Sequence, residues 1–177
     1  KAFYAQIAAC FLLAAALADA IGATSTERTS VLEGLRQMPE AMERTFALRD
    51  DIAAAAQRVA PSRRYWAIVG NGANRIAAEE IRIKLSELCY KAIACDGTED
   101  KKHIDLSSEP MILVCAAGLQ GSTADDVAKE VAIYRAHKAA PVVIATQGEE
   151  RFSSALQVIA VPEVHPRLAF ILSAMVG

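Results

Sequence analysis

The sequence has no surplus of positive charge. Its 19 lysines and arginines stand against 21 aspartates and glutamates, a formal net charge of −2. That balance leaves no electrostatic footprint for nucleic acid or for an anionic membrane surface. CxxC pairs and zinc-ligand spacings are also missing, because Cys10, Cys89, Cys95 and Cys115 are scattered. Scattered cysteines of this kind read as buried, reduced thiols of a cytoplasmic protein, with no metal and no cofactor expected. Internal repeats and low-complexity tracts are absent. What is abundant is apolar material: 53% of residues are hydrophobic and 23% charged, which excludes a disordered chain and supports a sizeable core.

The chain starts at Lys1 rather than methionine, and reads as a piece of a larger protein. Residues 2–21 form a strongly apolar stretch, but Gln6 interrupts it early and Asp19 sits at its end. It is a poor secretory signal and too polar for a membrane span. A buried, Ala- and Leu-rich helix stopped at Gly22 fits better.

Beyond Gly22 the pattern remains helical to about residue 60. Ser25 or Thr26 can cap a helix through about Gln37, with Pro39 ending it. Residues 40–48 and 49–59 read as one or two more helices. From residue 65 the pattern changes to short apolar runs alternating with helical ones. Strands are predicted at 65–69, 91–95, 111–115, 141–145 and 156–161, and helices at 75–88, 123–137 and 166–175. The helix at 123–137 should be capped by Ser122 or Thr123, with Asp125 and Asp126 in its first turn. Short strands, apolar on both faces and alternating with helices, imply a parallel sheet covered on both sides. The expected fold is α/β: a three-layer αβα sandwich with a five-stranded parallel sheet, preceded by an all-helical segment.

Gly70-Asn71-Gly72 follows the first strand and opens a helix. It lacks the third glycine of a dinucleotide loop, since Arg75 stands there, and reads as a tight turn. Gly118, Gly121, Ser122 and Thr123 follow the central strand and read as ordinary capping residues, although such a loop can cradle phosphate. Glu80, Lys84, Glu87 and Lys91 recur along one side of a helix beside an apolar seam of Ala77, Ile81, Leu85 and Leu88. By spacing alone that stripe is a solvated salt-bridge face. His103 by itself is a surface histidine that follows a strand and an irregular segment.

Taken together, Gly70-x-Gly72, Glu80, Lys84-Leu85-Ser86-Glu87, Tyr90 and Lys102-His103 resemble the second sugar-isomerase (SIS) domain of the glutamine–fructose-6-phosphate aminotransferase family. The resemblance runs through nearly the whole chain. It makes 1–24 the last helix of a preceding SIS domain, 25–60 a helical connector and 61–177 the second SIS domain, truncated at its C-terminal helix. It implies that Glu87 shuttles a proton between C1 and C2 of the open sugar, that Lys84 positions and polarises the reacting end, and that His103 opens the ring across a homodimer interface. Fructose 6-phosphate and glutamine would be the substrates of the intact enzyme, with the substrate-binding residues mainly in the absent first SIS domain. The segment around the histidine departs from the family's Gly-Glu-x-Lys-His-Gly-Pro, being Glu99-Asp100-Lys101-Lys102-His103-Ile104-Asp105. A fragment of this extent should be inactive alone. Two other readings stand beside the aminotransferase: a SIS-type sugar-phosphate deaminase or deglycase without a glutaminase domain, and a non-catalytic SIS module that binds sugar phosphate.

Overall fold

The computed structural model describes residues 2–23, 26–103 and 106–177. Five parallel strands build one sheet: β1 (Trp66–Gly70), β2 (Ala94–Asp96), β3 (Met111–Cys115), β4 (Ala140–Thr146) and β5 (Gln157–Val161), in the order β2-β1-β3-β4-β5. The helices are α1 (Ala2–Ala20), α2 (Thr26–Phe46), α3 (Arg49–Val59), α4 (Ala73–Cys89), α5 (Thr98–His103), α6 (Gly121–Ala136) and α7 (Ala169–Val176). The expected sandwich and strand set are present, with β3 in the middle.

All five residues of β3 are buried, because the strand is covered on both faces. Met111, Leu113 and Cys115 join a core with Ile68 of β1, Ala77, Ala78 and Ile81 of α4, and Phe170, Ile171 and Leu172 of α7. Ile112 and Val114 point the other way, into a second core with Ala67 and Val69 of β1 and Val127, Val131 and Tyr134 of α6. The period-two alternation of a strand therefore sorts one apolar run between two helical layers. α5 packs on α6, so α4 and α5 lie on opposite faces of the sheet.

Several local expectations are corrected. Pro39 does not end a helix but lies inside α2. A proline there has no N–H to give to the preceding turn. Met38 and Ala41 on either side of it are buried against the core, and this packing carries the helix through. The suggested cap Ser25 lies outside the described residues, and Thr26 is the first residue of α2. α6 begins at Gly121 with extended Gln120 before it and no side-chain cap, so Ser122 and Thr123 are within the helix and Asp125 and Asp126 fall past its first turn. Gly121, at φ +54°, makes the entry bend that capping by a hydroxyl was expected to make. The segment before His103 is not irregular. It forms α5, with Glu99 and Asp100 in the first turn and Lys101, Lys102 and His103 in the last, the charge order that the helix dipole favours. The thiols are free, but only Cys115 is buried, while Cys10 and Cys89 are exposed.

α1 is a helix as expected, yet none of its residues is buried. Phe3, Tyr4, Ile7 and Phe11 pack on the core, whereas Leu12, Leu13, Leu17 and Ile21 are exposed. An apolar helix of this composition is long enough to cross a membrane.

The turn from β1 into α4 depends on its glycines. Gly72 sits at φ +55° immediately before α4. A Cβ on Gly70 would lie 2.4 Å from the Asn74 carbonyl oxygen, a backbone atom that cannot move aside. Gly70→Ala should therefore destabilise the domain by about 1–3 kcal/mol or more, the usual cost of overpacking. Chemical denaturation of wild type and variant measures it, and an unchanged midpoint would contradict the close approach.

Candidate active site

α4 leaves the turn at Gly72 and presents Ala77, Ala78 and Ile81 to the core. A polar stripe of Glu80, Lys84 and Glu87 runs along the edge of that face. Lys84 Nζ donates to Glu87 Oε2 at 3.3 Å, the i, i+3 contact expected on one helix face. The two side chains are 52% and 62% exposed. The stripe is shorter than the spacing implied. α4 ends at Cys89, and Tyr90 takes a left-handed conformation at φ 52°. Lys91 consequently leaves the helix line: its ammonium donates to the Arg64 carbonyl at 2.9 Å and lies 4.7 Å from the Trp66 ring centroid. Leu88, assigned to the apolar seam, is 74% exposed. At 3.6 residues per turn Leu88 returns to the side of α4 that carries Ala77 and Ile81, so its exposure comes from lying in the last turn, beyond the buried residues Ala77, Ala78 and Ile81, and not from its angle around the helix.

Lys84 and Glu80 open into a cleft of about 450 Å³. Ala2, Phe3, Tyr4 and Gln6 of α1 form one wall, and Ala174 of α7 closes part of the floor. The Phe3 and Tyr4 rings meet edge to face, with centroids 5.3 Å apart. Burial and, secondarily, the Glu80 carboxylate push the Tyr4 phenol above its ordinary value. Tyr4 therefore remains an O–H donor at neutral pH. The cleft thus gathers a carboxylate, an ammonium, a phenol and a side-chain amide, with the Glu87 carboxylate one turn away. Such a set can hydrogen-bond a polyol, polarise a carbonyl and accept a proton.

The structure brings Lys84 and Glu87 together and leaves His103 apart. His103 lies at the end of α5, on the other side of the sheet, 68% exposed, with Nε2 3.6 Å from Glu99 Oε1. Tyr4 is a lining residue that sequence reasoning missed. Gln6 stood out in the sequence as an interruption of the apolar run and, after Lys1-Ala2-Phe3, as part of the family resemblance, but neither reading tied it to Glu80 and Lys84. Among the described residues, no cluster of three or more His, Cys, Asp and Glu side chains could hold a metal ion.

The comparisons with known proteins cover the same ground. The chain is 31% identical over 179 residues to a glutamine–fructose-6-phosphate aminotransferase (isomerizing) of Thermus thermophilus, an alignment spanning 99% of this chain. In structure it matches the C-terminal domain of the glucosamine-fructose-6-phosphate aminotransferase from Francisella tularensis, with a TM-score of 0.79 and 14% identity over 92% of this chain and 46% of that one. The chain is homologous to the C-terminal SIS region of these aminotransferases. It spans 29% of the length of the Thermus relative. A phosphosugar isomerase fold from Silicibacter pomeroyi also matches, with a TM-score of 0.64 and 20% identity over 85% of this chain and 44% of that one. No protein-family model matches the chain. The fold is accordingly that of a SIS domain with additional N-terminal helices.

The exposure of the Lys84–Glu87 pair separates its chemistry from its contribution to stability. An exposed i, i+3 ion pair contributes about 0–1 kcal/mol. Lys84→Ala should leave the unfolding free energy within about 0.5 kcal/mol of wild type. Equilibrium denaturation tests this, and a much larger loss would make the pair a structural element instead.

Proposed function

We propose that this chain forms the isomerase part of an enzyme that converts fructose 6-phosphate and glutamine to glucosamine 6-phosphate. The observation that carries the reading is the Lys84–Glu87 pair, set beside a polar cleft in a chain homologous from end to end to the SIS region of the aminotransferases. Glu87 is the base that moves a proton between C1 and C2 of the open sugar. Lys84 holds the carbonyl end and stabilises the charge that develops on its oxygen. His103 opens the sugar ring. Since it stands on the far face of the sheet from α4, it serves the Glu87 of a second copy, and the working enzyme is a homodimer. Most contacts to the substrate come from the first SIS domain of the intact protein, and no cofactor takes part.

Glu87→Gln keeps the size and most of the hydrogen bonding of the side chain but removes its basicity. In the intact protein, ketose-to-aldose conversion of fructose 6-phosphate should fall by about 10²–10⁴-fold, the usual weight of general-base catalysis. Binding of the sugar phosphate should weaken far less. Lys84→Ala should slow the same step, and its effect should not add to that of Glu87→Gln, since the two groups act together. Wild-type turnover in Glu87→Gln would return the pair to a solvated ion pair and favour a module that only binds sugar phosphate.

The same reading puts the protein in the cytoplasm, with α1 packed on protein. Two features favour this over a membrane span. The Phe3, Tyr4, Ile7 and Phe11 side of α1 packs on the domain core, and Asp19 pairs with Arg28. A helix in the bilayer would give up the first contact and place Gln6 in hydrocarbon. After fractionation of the intact protein, α1 should go with the soluble fraction. Retention in membranes washed at high salt would refute the placement.

A further inference from the structure

The second layer contains a buried charge that the isomerase reading does not use. Glu130 of α6 is 7% exposed, and its Oε1 accepts from Lys102 Nζ of α5 at 2.9 Å. Its Oε2 is buried without a hydrogen-bond partner. Lys102 also reaches Glu99 Oε1 at 2.8 Å, and the same Glu99 oxygen lies 3.6 Å from His103 Nε2. Three contacts thus lead from the buried carboxylate to the histidine.

A six-residue helix cannot hold its own conformation in water. The first turn of α5 is tied in two ways. Asn71 and Thr98 exchange two hydrogen bonds, Nδ2 to Oγ1 at 2.6 Å and backbone N to Oδ1 at 3.1 Å. Tyr134 of α6 donates its hydroxyl to the Thr98 carbonyl. The last turn, which carries His103, is tied to α6 through Lys102 and Glu130. A buried ion pair is weak as a source of stability, since apolar residues of similar volume often serve as well. Its particular use is to fix position.

We propose that Glu130 is the positioning residue of His103: through Lys102 and Glu99 it sets the last turn of α5, and hence where the imidazole is presented. The proposal rests on the isomerase reading, in which His103 opens the sugar ring. Glu99 and then Glu130 hold the Lys102 ammonium charged, and Lys102 holds the Glu99 carboxylate ionised, so the two links that meet at Lys102 are ion pairs at neutral pH. Asp100 and the buried Lys101 share α5 with them, and the Tyr134 phenol of α6, pushed up by burial, stays neutral.

The test is steady-state kinetics of the intact protein on fructose 6-phosphate, for Glu130→Gln, His103→Ala and the double variant, each checked by thermal unfolding. Misplacing a catalytic group by about 1 Å costs up to about 10²-fold. Glu130→Gln should lower kcat by about 10–100-fold with KM unchanged, and should have no further effect in the His103→Ala background. If Glu130→Gln does not fold, Glu130→Gln combined with Lys102→Met leaves no lone buried charge and should show the same fall. Wild-type kcat in the Glu130 variant alongside a loss in His103→Ala overturns this proposal and leaves the isomerase reading standing. A Glu130 effect that persists without His103 makes Glu130 a merely structural residue and also overturns it. Wild-type kcat in His103→Ala removes the role assigned to the histidine itself, and the proposal with it.

Discussion

Everything in this domain depends on β1, β3 and β4 being apolar on both faces. A parallel sheet of this kind has to be covered twice, and the order β2-β1-β3-β4-β5 provides the cover through crossovers of opposite destination. The chain leaves β1 through α4 on one face and leaves β3 through α6 on the other. Ile68, Leu113 and Cys115 serve the first layer, while Val69, Ile112 and Val114 serve the second. The separation of the candidate catalytic groups is a direct result. Lys84 and Glu87 ride on the helix of one layer, and His103 on the short helix of the other.

How much of this could be read from the sequence follows from how local each cause is. The β3 run was legible because five consecutive large apolar residues between Pro110 and the Ala116-Ala117-Gly118 turn admit few readings. Pro39 was misread because the forces that carry α2 through it lie in tertiary packing around Met38 and Ala41. The start of α6 was misread because a glycine at positive φ did what a hydroxyl cap usually does. α5 was missed altogether. Its six residues have no apolar period, and they are held by partners as distant in sequence as Asn71, Glu130 and Tyr134.

The candidate site divides in the same way. The Lys84–Glu87 contact is an i, i+3 relation that any helix must satisfy, so it was visible in the sequence. The cleft beside it was not, since it exists only where α1 crosses α4. Tyr4 and Gln6 are more than seventy positions from Glu80 in the chain, and nothing local ties them to it. The position of Lys91 could not be read either, because the left-handed Tyr90 ends the helix before the fourth member of the stripe.

Exposure remains the central tension in the site. A carboxylate that works as a base near neutral pH needs partial burial and a neighbouring cation to tune it. Glu87 has the cation, but at 62% exposure it lacks the burial. α1 has the complementary deficit. It is apolar all round, and such a helix is stable only when covered, yet none of its residues is buried. The cleft lies between these two elements, with α1 as one wall and α4 as the other. A single body laid over the open side of α1 would therefore bury its leucines and shade the polar end of α4. Under the proposed function that body is the first SIS domain, which also brings the sugar phosphate. Covering the helix, drying the base and delivering the substrate then become one event, and the acid–base pair is tuned only when there is something for it to act on.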